Sequence, residues 1–435
     1  MLLLERLFDS VARCVDTFPD PRRGRNARYP MRDIGMAAFS VFFMQSPSFL
    51  AHQRLLEQGH GRSNCTGLFG MTKIPSDNHI RNMLDGAPPS LLQPAFDEVL
   101  AALQAAPDGL DVFRRLGDHL LIAFDGTEYF RSDAIDCPQC PHRRRSNGKT
   151  EYYHAMLAAT VVAPGQDKVI PLPPEFIAPQ DGAVKQDCEN AAVKRWLAAH
   201  GPRYAKFKPI YLGDDLNSRQ PICQAVLDAG GHFIFVCKPS SHRLIEEYIS
   251  GVQLETHEET HKRGKTHFIY RYRWIHKVPL RDSGDALDVN WFDIEVRRAD
   301  TGKVTYRNSF ITDLPIAAGD VAEAAACGRA KWKIENETFN VLKNNGYNLE
   351  HNFGHGKKNL ASILVVLNLL AFAIHTVCDI ADPVWRHTRE IYRVARDFFR
   401  NLAALATFAI FPSWTAFLHA LAFNQPPPKP PPVPT

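Results

Sequence analysis

Residues 331–342 read KWKIENETFNVL, with two glutamates two positions apart in a stretch of helical apolar spacing. At roughly 100° per residue, Trp332, Phe339 and Leu342 fall within about 60° of Glu335, whereas Glu337 lies about 200° away, beside Lys333, Asn340 and Asn344. The spacing therefore predicts that Glu335 turns inward and Glu337 faces water. A carboxylate turned into a core is costly unless an opposite charge, a proton or a metal meets it. Lys331, one turn earlier, offers a local ion pair. A metal held with partners elsewhere in the chain accounts for Glu335 equally well.

Two apolar runs end in acids: HLLIAF in Asp125, and KPIYLG in Asp214 and Asp215. Taken singly, Asp125–Gly126 suits a tight turn, and Asp214 a turn start or a helix cap. In sheets of alternating strands and helices, ligands gather beyond the carboxyl ends of the strands, so Asp125, Asp214 and Glu335 are placed to converge. Three carboxylates with no His or Cys among them suit a hard, oxygen-preferring cation, Mg2+ or Mn2+, rather than zinc.

The elements that carry these acids change along the chain. Residues 1–110 read as helical: MRDIGMAAFSVFFMQSPSFLAHQRLLEQ has helical apolar spacing, and Ser76 stands as an N-cap for DNHIRNMLD. From about 118, HLLIAFDGTEYF, AMLAATVVAPG and KVIPLPPEFI are short apolar runs bounded by Gly and Pro, and read as neighbouring strands. QDCENAAVKRWLAAHG and QPICQAVLDAGG read as helices alternating with the runs KPIYLGDD and FIFVCKP, which predicts an α/β sheet covered on both faces. Over 255–315, HFIYRYRWI, VNWFDIEVRRA and VTYRNSFITDL alternate apolar with charged residues, the pattern of antiparallel strands with one solvated face. This is a β-rich insertion ahead of the Glu335 helix. LASILVVLNLLAFAIHTVC (360–378) is long enough to span a membrane, but Asn368, His375 and the lack of a second such span predict a buried core helix. A further helix is expected over 384–400, and PPPKPPPVPT forms a polyproline tail that need not pack.

A chain of 435 residues, 45% hydrophobic, has enough apolar mass for one large domain with attachments or for two to three domains. A net charge of +4 leans mildly toward polyanionic partners, though local clusters decide more than the total. Nine cysteines, an odd and scattered set, do not resemble a disulfide framework and predict reduced thiols in a cytoplasmic setting. MLLLERLFDSVARC lacks a basic stretch followed by an unbroken apolar run, so no signal peptide is expected.

FDGT around Asp125, LGDDLNSRQP around Asp214, and FITDLP followed by KWKIENETFNVLK around Glu335 resemble the DDE transposases of bacterial insertion sequences. The likeness is to the IS-four-like group, with a β-rich insertion before the last acid; it covers about residues 118–375, and Trp-x-Ile-Glu at 332–335 is a fairly specific part of it. It implies an α/β fold: a ribonuclease-H-like mixed sheet with flanking helices, the β-rich insertion and an all-α N-terminal region. In those terms 1–115 is a helical DNA-binding or dimerisation region, 116–240 and 319–380 are the two parts of the catalytic core, and 241–318 is the insertion. Residues 381–424 are C-terminal helices and 425–435 the proline-rich tail.

The resemblance also implies that Asp214, rather than Asp215, is the second ligand. Two Mg2+ or Mn2+ ions per active site would be bridged by Asp125 and completed by Asp214 and Glu335. Water frees a DNA 3′ end, and the 3′-hydroxyl then attacks a target phosphodiester. The implied partners are double-stranded DNA, as terminal inverted repeats and target, and a second copy of the chain in a synaptic homodimer, in a bacterial cytoplasm at the nucleoid. The group's signature is Tyr-x2-Arg-x3-Glu-x6-Lys. Here Gly328 replaces the Tyr, Lys331 the Arg and Leu342 the Lys, with Lys343 one residue late and so turned by about 100°. A catalytically inactive DNA-binding protein of the same fold, and a ribonuclease-H-like nuclease that cuts without joining, share these acids.

Arg143, Arg144, Arg145 and Lys149 are expected in a hairpin beside Asp125 and, with Lys331 and Lys343, are read as DNA-backbone contacts. Arg386, Arg389, Arg393, Arg396 and Arg400 recur at spacings of three and four, one basic stripe above Ile391, Val394, Phe398 and Phe399 that also suits DNA. PRRGRNARYPMR (21–32) reads as a solvated loop or a phosphate-contacting arm, and Lys238 as a phosphate contact or a strand-end lysine. Cys137 and Cys140 supply half a zinc site; with no second Cys-x-x-Cys or His-x3–5-His to complete it, a loop with free thiols is the favoured reading. NNGYNLEHNFGHGKK (344–358) reads as a loop lying against DNA, its Glu350, His351 and His355 surplus to a site already supplied by three acids.

Overall fold

The computed structural model describes residues 3–23, 27–57, 64–107, 109–179 and 188–423. The proline-rich tail and part of the arginine-rich 21–32 segment lie outside the described residues.

The apolar and alternating runs become one mixed sheet. Its strands are β1 (Arg114–Arg115), β2 (His119–Ser132), β3 (His142–Arg144), β4 (Thr150–Ala163), β5 (Gln166–Pro171) and β6 (Glu175–Ile177). They continue with β7 (Pro209–Gly213), β8 (His232–Val236), β9 (Glu255–Arg263), β10 (Thr266–Pro279), β11 (Asp288–Arg298) and β12 (Val304–Thr312). The order across the sheet is β3-β4-β2-β7-β8-β12-β11-β10-β9. β2, β7 and β8 run parallel at its centre, and β7, PIYLG, is buried at every position, as a strand covered on both faces must be. β10 buries Tyr270, Tyr272 and Trp274 and turns Arg271 and Arg273 the other way. The outermost strand, ETHEETHKR, is polar throughout and rich in charge, which discourages pairing with another chain's edge.

The β-rich insertion does not stand apart. β12 pairs with the free edge of β8, Phe310 with Val236 and Thr312 with Ile234, so the four strands extend the same sheet. The physical reason is that β8 has an edge left open by β7, and pairing it satisfies its backbone groups.

The helix Leu360–Ala381 is, among the described residues, the only one long and apolar enough to cross a membrane, and it is buried along its apolar length. It packs between the helices Met31–Phe43 and Gln93–Ala105 on one side and β5 on the other. Its polar residues each find one partner inside: Asn368 Nδ2 donates to the Tyr347 carbonyl at 2.9 Å, and His375 Nδ1 lies 2.7 Å from the Tyr347 hydroxyl, while Asn368 Oδ1 and His375 Nε2 are buried without a partner among the described residues. Phe8, Phe43 and Phe69 from the N-terminal helices meet Trp414 from the C-terminal end, so both ends of the chain share one core around this helix.

The single helix expected over 384–400 is two, Pro383–Ile391 and Ala395–Phe408. Arg389 holds the break: it donates to the Tyr392 carbonyl at 3.2 Å and lies over the Phe398 ring. Ser76 occupies the N-cap of Asp77–Leu84, but its hydroxyl makes no capping bond.

Candidate acidic metal site

Asp125 is not at a strand end. β2 continues to Ser132 because β4 pairs with it throughout, Asp125 opposite Ala158 and Gly126 opposite Leu157. The parallel neighbour on the other side does stop. Ala123 pairs with Leu212, and the same register two residues on sets Asp214 level with Asp125, where β7 has ended. The side of β2 at Asp125 is thereby open, and both acids border the opening.

The turn after β7 separates the neighbouring acids. Asp214 stays at the opening, its Oδ1 accepting from the Leu216 N–H at 2.8 Å. Asp215 turns to the loop after β8, where it accepts from the Lys238 N–H at 2.6 Å and from the Ser241 hydroxyl. Lys238 is thus placed by its backbone, with its side chain exposed.

The helix around Glu335 departs from regular α geometry. A 3-10 turn at Ala330–Trp332 leads into a π turn at Ile334–Phe339. A π turn takes in an extra residue, so each side chain lags its α-helical direction. The buried line is Ile334, Thr338 and Leu342 with Phe339 beside it, while Trp332 is 51% exposed and the Glu335 side chain 60% exposed. This corrects the inward position expected for Glu335: it stands on the flank of the buried line. Glu337 is half-buried and lines a cavity of about 860 Å3 that includes Lys168, Tyr347, Asp379 and Arg389 and none of Asp125, Asp214 and Glu335.

Lys331 joins the strand to the helix. Its Nζ lies 3.1 Å from Asp125 Oδ2 and 3.2 Å from Glu335 Oε1, with its own side chain only 12% exposed. Burial works against the lysine's charge, but Asp125 and Glu335 together hold its pKa above the ordinary value. Lys331, read from sequence as a DNA contact, is spent inside the site. Lys343 is likewise paired, with Glu350 at 2.8 Å.

A fourth acid, absent from the sequence reading, completes the group. Glu189 opens the helix Glu189–Tyr204, and its carboxylate lies against Gly126, whose N–H is 3.1 Å from Asp125 Oδ1. A Cβ on Gly126 would lie 2.6 Å from Glu189 Oε2, so only glycine after Asp125 lets the carboxylate approach. Asn190 ties this helix start to the Asp214 turn through Asn217 Nδ2 at 3.0 Å, while Asn217 Oδ1 accepts from the Asp214 N–H. The sequence signal for Glu189 is an acid in a first helical turn, which the helix dipole favours anyway.

Burial pushes the Asp125 carboxyl above its ordinary range; Lys331 pulls it down, and Glu335 and Asp214 push it up. Burial, then the charges of Asp125 and Asp214, push Glu189 up to about 7. Four carboxyls and one ammonium leave negative charge in excess, two of the acids mostly out of water. All-oxygen donors short of positive charge are the kind a hard divalent cation prefers, but among the described residues only a cysteine–histidine group already has its ligand atoms gathered closely enough to hold an ion.

The expected basic contacts lie elsewhere. The β3–β4 hairpin springs from the far end of β2, where Ser132 pairs with Tyr152, roughly 23 Å along the strand from Asp125. Arg143 reaches back along β2 to Glu128 at 2.5 Å and is also held by Glu151 at 2.6 Å, and Arg145 pairs with Glu151; Arg144 and Lys149 are exposed. Arg389 turns inward to Asp379 at 3.5 Å, while Arg386, Arg393 and Arg396 stay exposed on either side of the helix break. Cys137 and Cys140 do find companions, His154 and His355, the last from the loop expected to lie on DNA.

No protein-family model matches this sequence, and no curated protein matches it.

Proposed function

We propose that the chain is a DNA-cutting and DNA-joining enzyme of the DDE transposase kind, its sheet core a ribonuclease-H-like fold. The observation that carries this reading is the meeting of acids from β2, the turn after β7 and the helix after the β-rich strands: Asp125 and Glu335 share one ammonium, and Asp214 stands level with Asp125. Asp125, Asp214, Glu335 and Glu189 would hold Mg2+ or Mn2+. When bound, such ions activate the attacking oxygen and stabilise the leaving one in phosphodiester displacement. Asp125 and Asp214 are fixed by the sheet, whereas Glu335 reaches in from an exposed helix flank, so it is the acid free to adjust to substrate. Lys331 lends charge to both Asp125 and Glu335. Exposed Trp332, one turn before Glu335, offers a ring face on which a nucleobase can stack.

A non-catalytic DNA-binding protein of the same fold is favoured by one observation, the occupation of the acids by the chain's own Lys331. One experiment decides. Pre-cut duplexes made from DNA flanking the gene, incubated with a supercoiled target plasmid and Mg2+, should yield joined products. Asp125→Asn, Asp214→Asn and Glu335→Gln should each lower the yield by about 10³-fold, the several kcal/mol that metal stabilisation supplies, while DNA binding is unchanged. Glu337→Gln should leave the yield unchanged. Cleavage without joining would leave only the nuclease reading; no cleavage at all would leave the binding protein.

A further inference from the structure

Cys137 and Cys140 lie in the loop between β2 and β3, His154 in β4, and His355 in the segment joining Glu335's helix to Leu360–Ala381. Their sulfur and ring-nitrogen atoms all lie within 4.8 Å of one another. The sulfurs are 3.6 Å apart, too far for a disulfide. Cys137 Sγ is 3.6 Å from His154 Nε2; Cys140 Sγ is 3.4 Å from both His154 Nε2 and His355 Nε2; the two Nε2 atoms are 3.1 Å apart. A tetrahedral zinc ion, with bonds of about 2.3 Å to sulfur and about 2.05 Å to nitrogen, sets sulfurs ~3.8 Å apart, sulfur and nitrogen ~3.6 Å apart, and nitrogens ~3.3 Å apart. All five separations fall within about 0.3 Å of that set.

The surroundings suit the same ion. Two thiolates and two imidazoles select zinc over the hard cations that carboxylates prefer. His355 Nδ1 lies 2.9 Å from the Gly356 carbonyl and donates to it, which leaves the Nε2 lone pair aimed at the cysteines. His154 is stacked on Tyr129 and flanked by Phe130. Cys140, His154 and His355 are buried, and four protein ligands leave no position open for substrate, the mark of a structural rather than a catalytic zinc.

We infer that Cys137, Cys140, His154 and His355 bind one structural zinc ion, which clamps the loop behind Glu335's helix to the strand pair that carries Asp125. On its other side that loop is held by the N-terminal helices: Arg81 Nε donates to the Phe353 carbonyl at 2.8 Å, and the Asp85 carboxylate accepts from the N–H groups of Lys357, Lys358 and Leu360. The zinc is the joint on the sheet side. The inference rests on these ligands alone and stands whether or not the chain cuts DNA.

Elemental analysis of the full-length protein, purified without metal supplement, should find about one zinc per chain. Cobalt-substituted protein should show the visible absorption of a tetrahedral, thiolate-ligated ion. Cys140→Ser and His355→Ala should drop zinc below about a tenth of the wild-type content, with a fall in unfolding temperature. His355→Cys exchanges one zinc ligand for another and should keep the metal, as should His351→Ala at the exposed neighbour. Folded wild-type protein that holds no zinc and takes up none would overturn the inference, as would full zinc content in Cys140→Ser and His355→Ala. Should Cys140→Ser fail to fold, the wild-type stoichiometry, the cobalt spectrum and His355→Cys still decide.

Discussion

Glu189 is the residue whose chemistry the site changes most. Its carboxyl titrates near 7 in the folded chain against an ordinary 4.5. Between those values the folded state keeps a proton that the unfolded state has lost, so stability falls as pH rises through this window and the loss is complete above it. Glu189→Gln removes the penalty. In buffer without added divalent cations, the variant should exceed the wild type by up to ~3 kcal/mol in urea unfolding at pH 8, and match it at pH 4. An equal difference at both pH values would mean that Glu189 is not crowded by its neighbours. Asp125, Asp214 and Glu335 could be singled out in the sequence because each follows or interrupts an apolar stretch. Glu189 could not, because an acid in a first helical turn is what any solvated helix shows.

At the scale of elements, the residues that differ from the signature of the proposed family are explained by their local surroundings. A Cβ on Gly328 would lie 2.6 Å from the Phe310 ring, because the β12 side chain reaches up to the backbone of the helix Val321–Arg329. The position has no room for the signature's tyrosine. Leu342 is fully buried, so a lysine there would lose its hydration, and the cation at 343 pairs with Glu350 instead. Gly328→Tyr should therefore cost about 3 kcal/mol or more in denaturant unfolding rather than restore anything; a variant as stable as wild type would show that the helix can lift off the strand. The alternation over 255–315 made β10 to β12 legible as strands, whereas β9, with no apolar residue to alternate, was not. Their joining to β8 was not legible either, since pairing across a sheet depends on which edge lies open, and no local pattern records that. The phase of Glu335 was misread for a related reason: a helical wheel assumes one pitch, and the π turn at Ile334–Phe339 breaks it.

For the whole molecule, one buried helix organises both the fold and the site. Leu360–Ala381 supports the N-terminal helices, the C-terminal Trp414 cluster and β5, and the loop entering it carries His355. Its composition marked it as a core element; what it packs against came only from tertiary contact. The two proposed metal sites differ in character: the Cys/His cluster draws on the loop after β2, on β4 and on the segment before Leu360–Ala381, and the carboxylates on β2, the turn after β7 and the helices carrying Glu189 and Glu335. In the proposed function, Asp125, Asp214, Glu335 and Glu189 together bind a divalent cation. The most direct measurement is a Mn2+ titration of zinc-replete protein followed by electron paramagnetic resonance. Wild type should bind at least about one Mn2+ per chain, with Asp125→Asn and Asp214→Asn binding none, whereas equal binding by wild type and both variants, or none by wild type, would contradict the account.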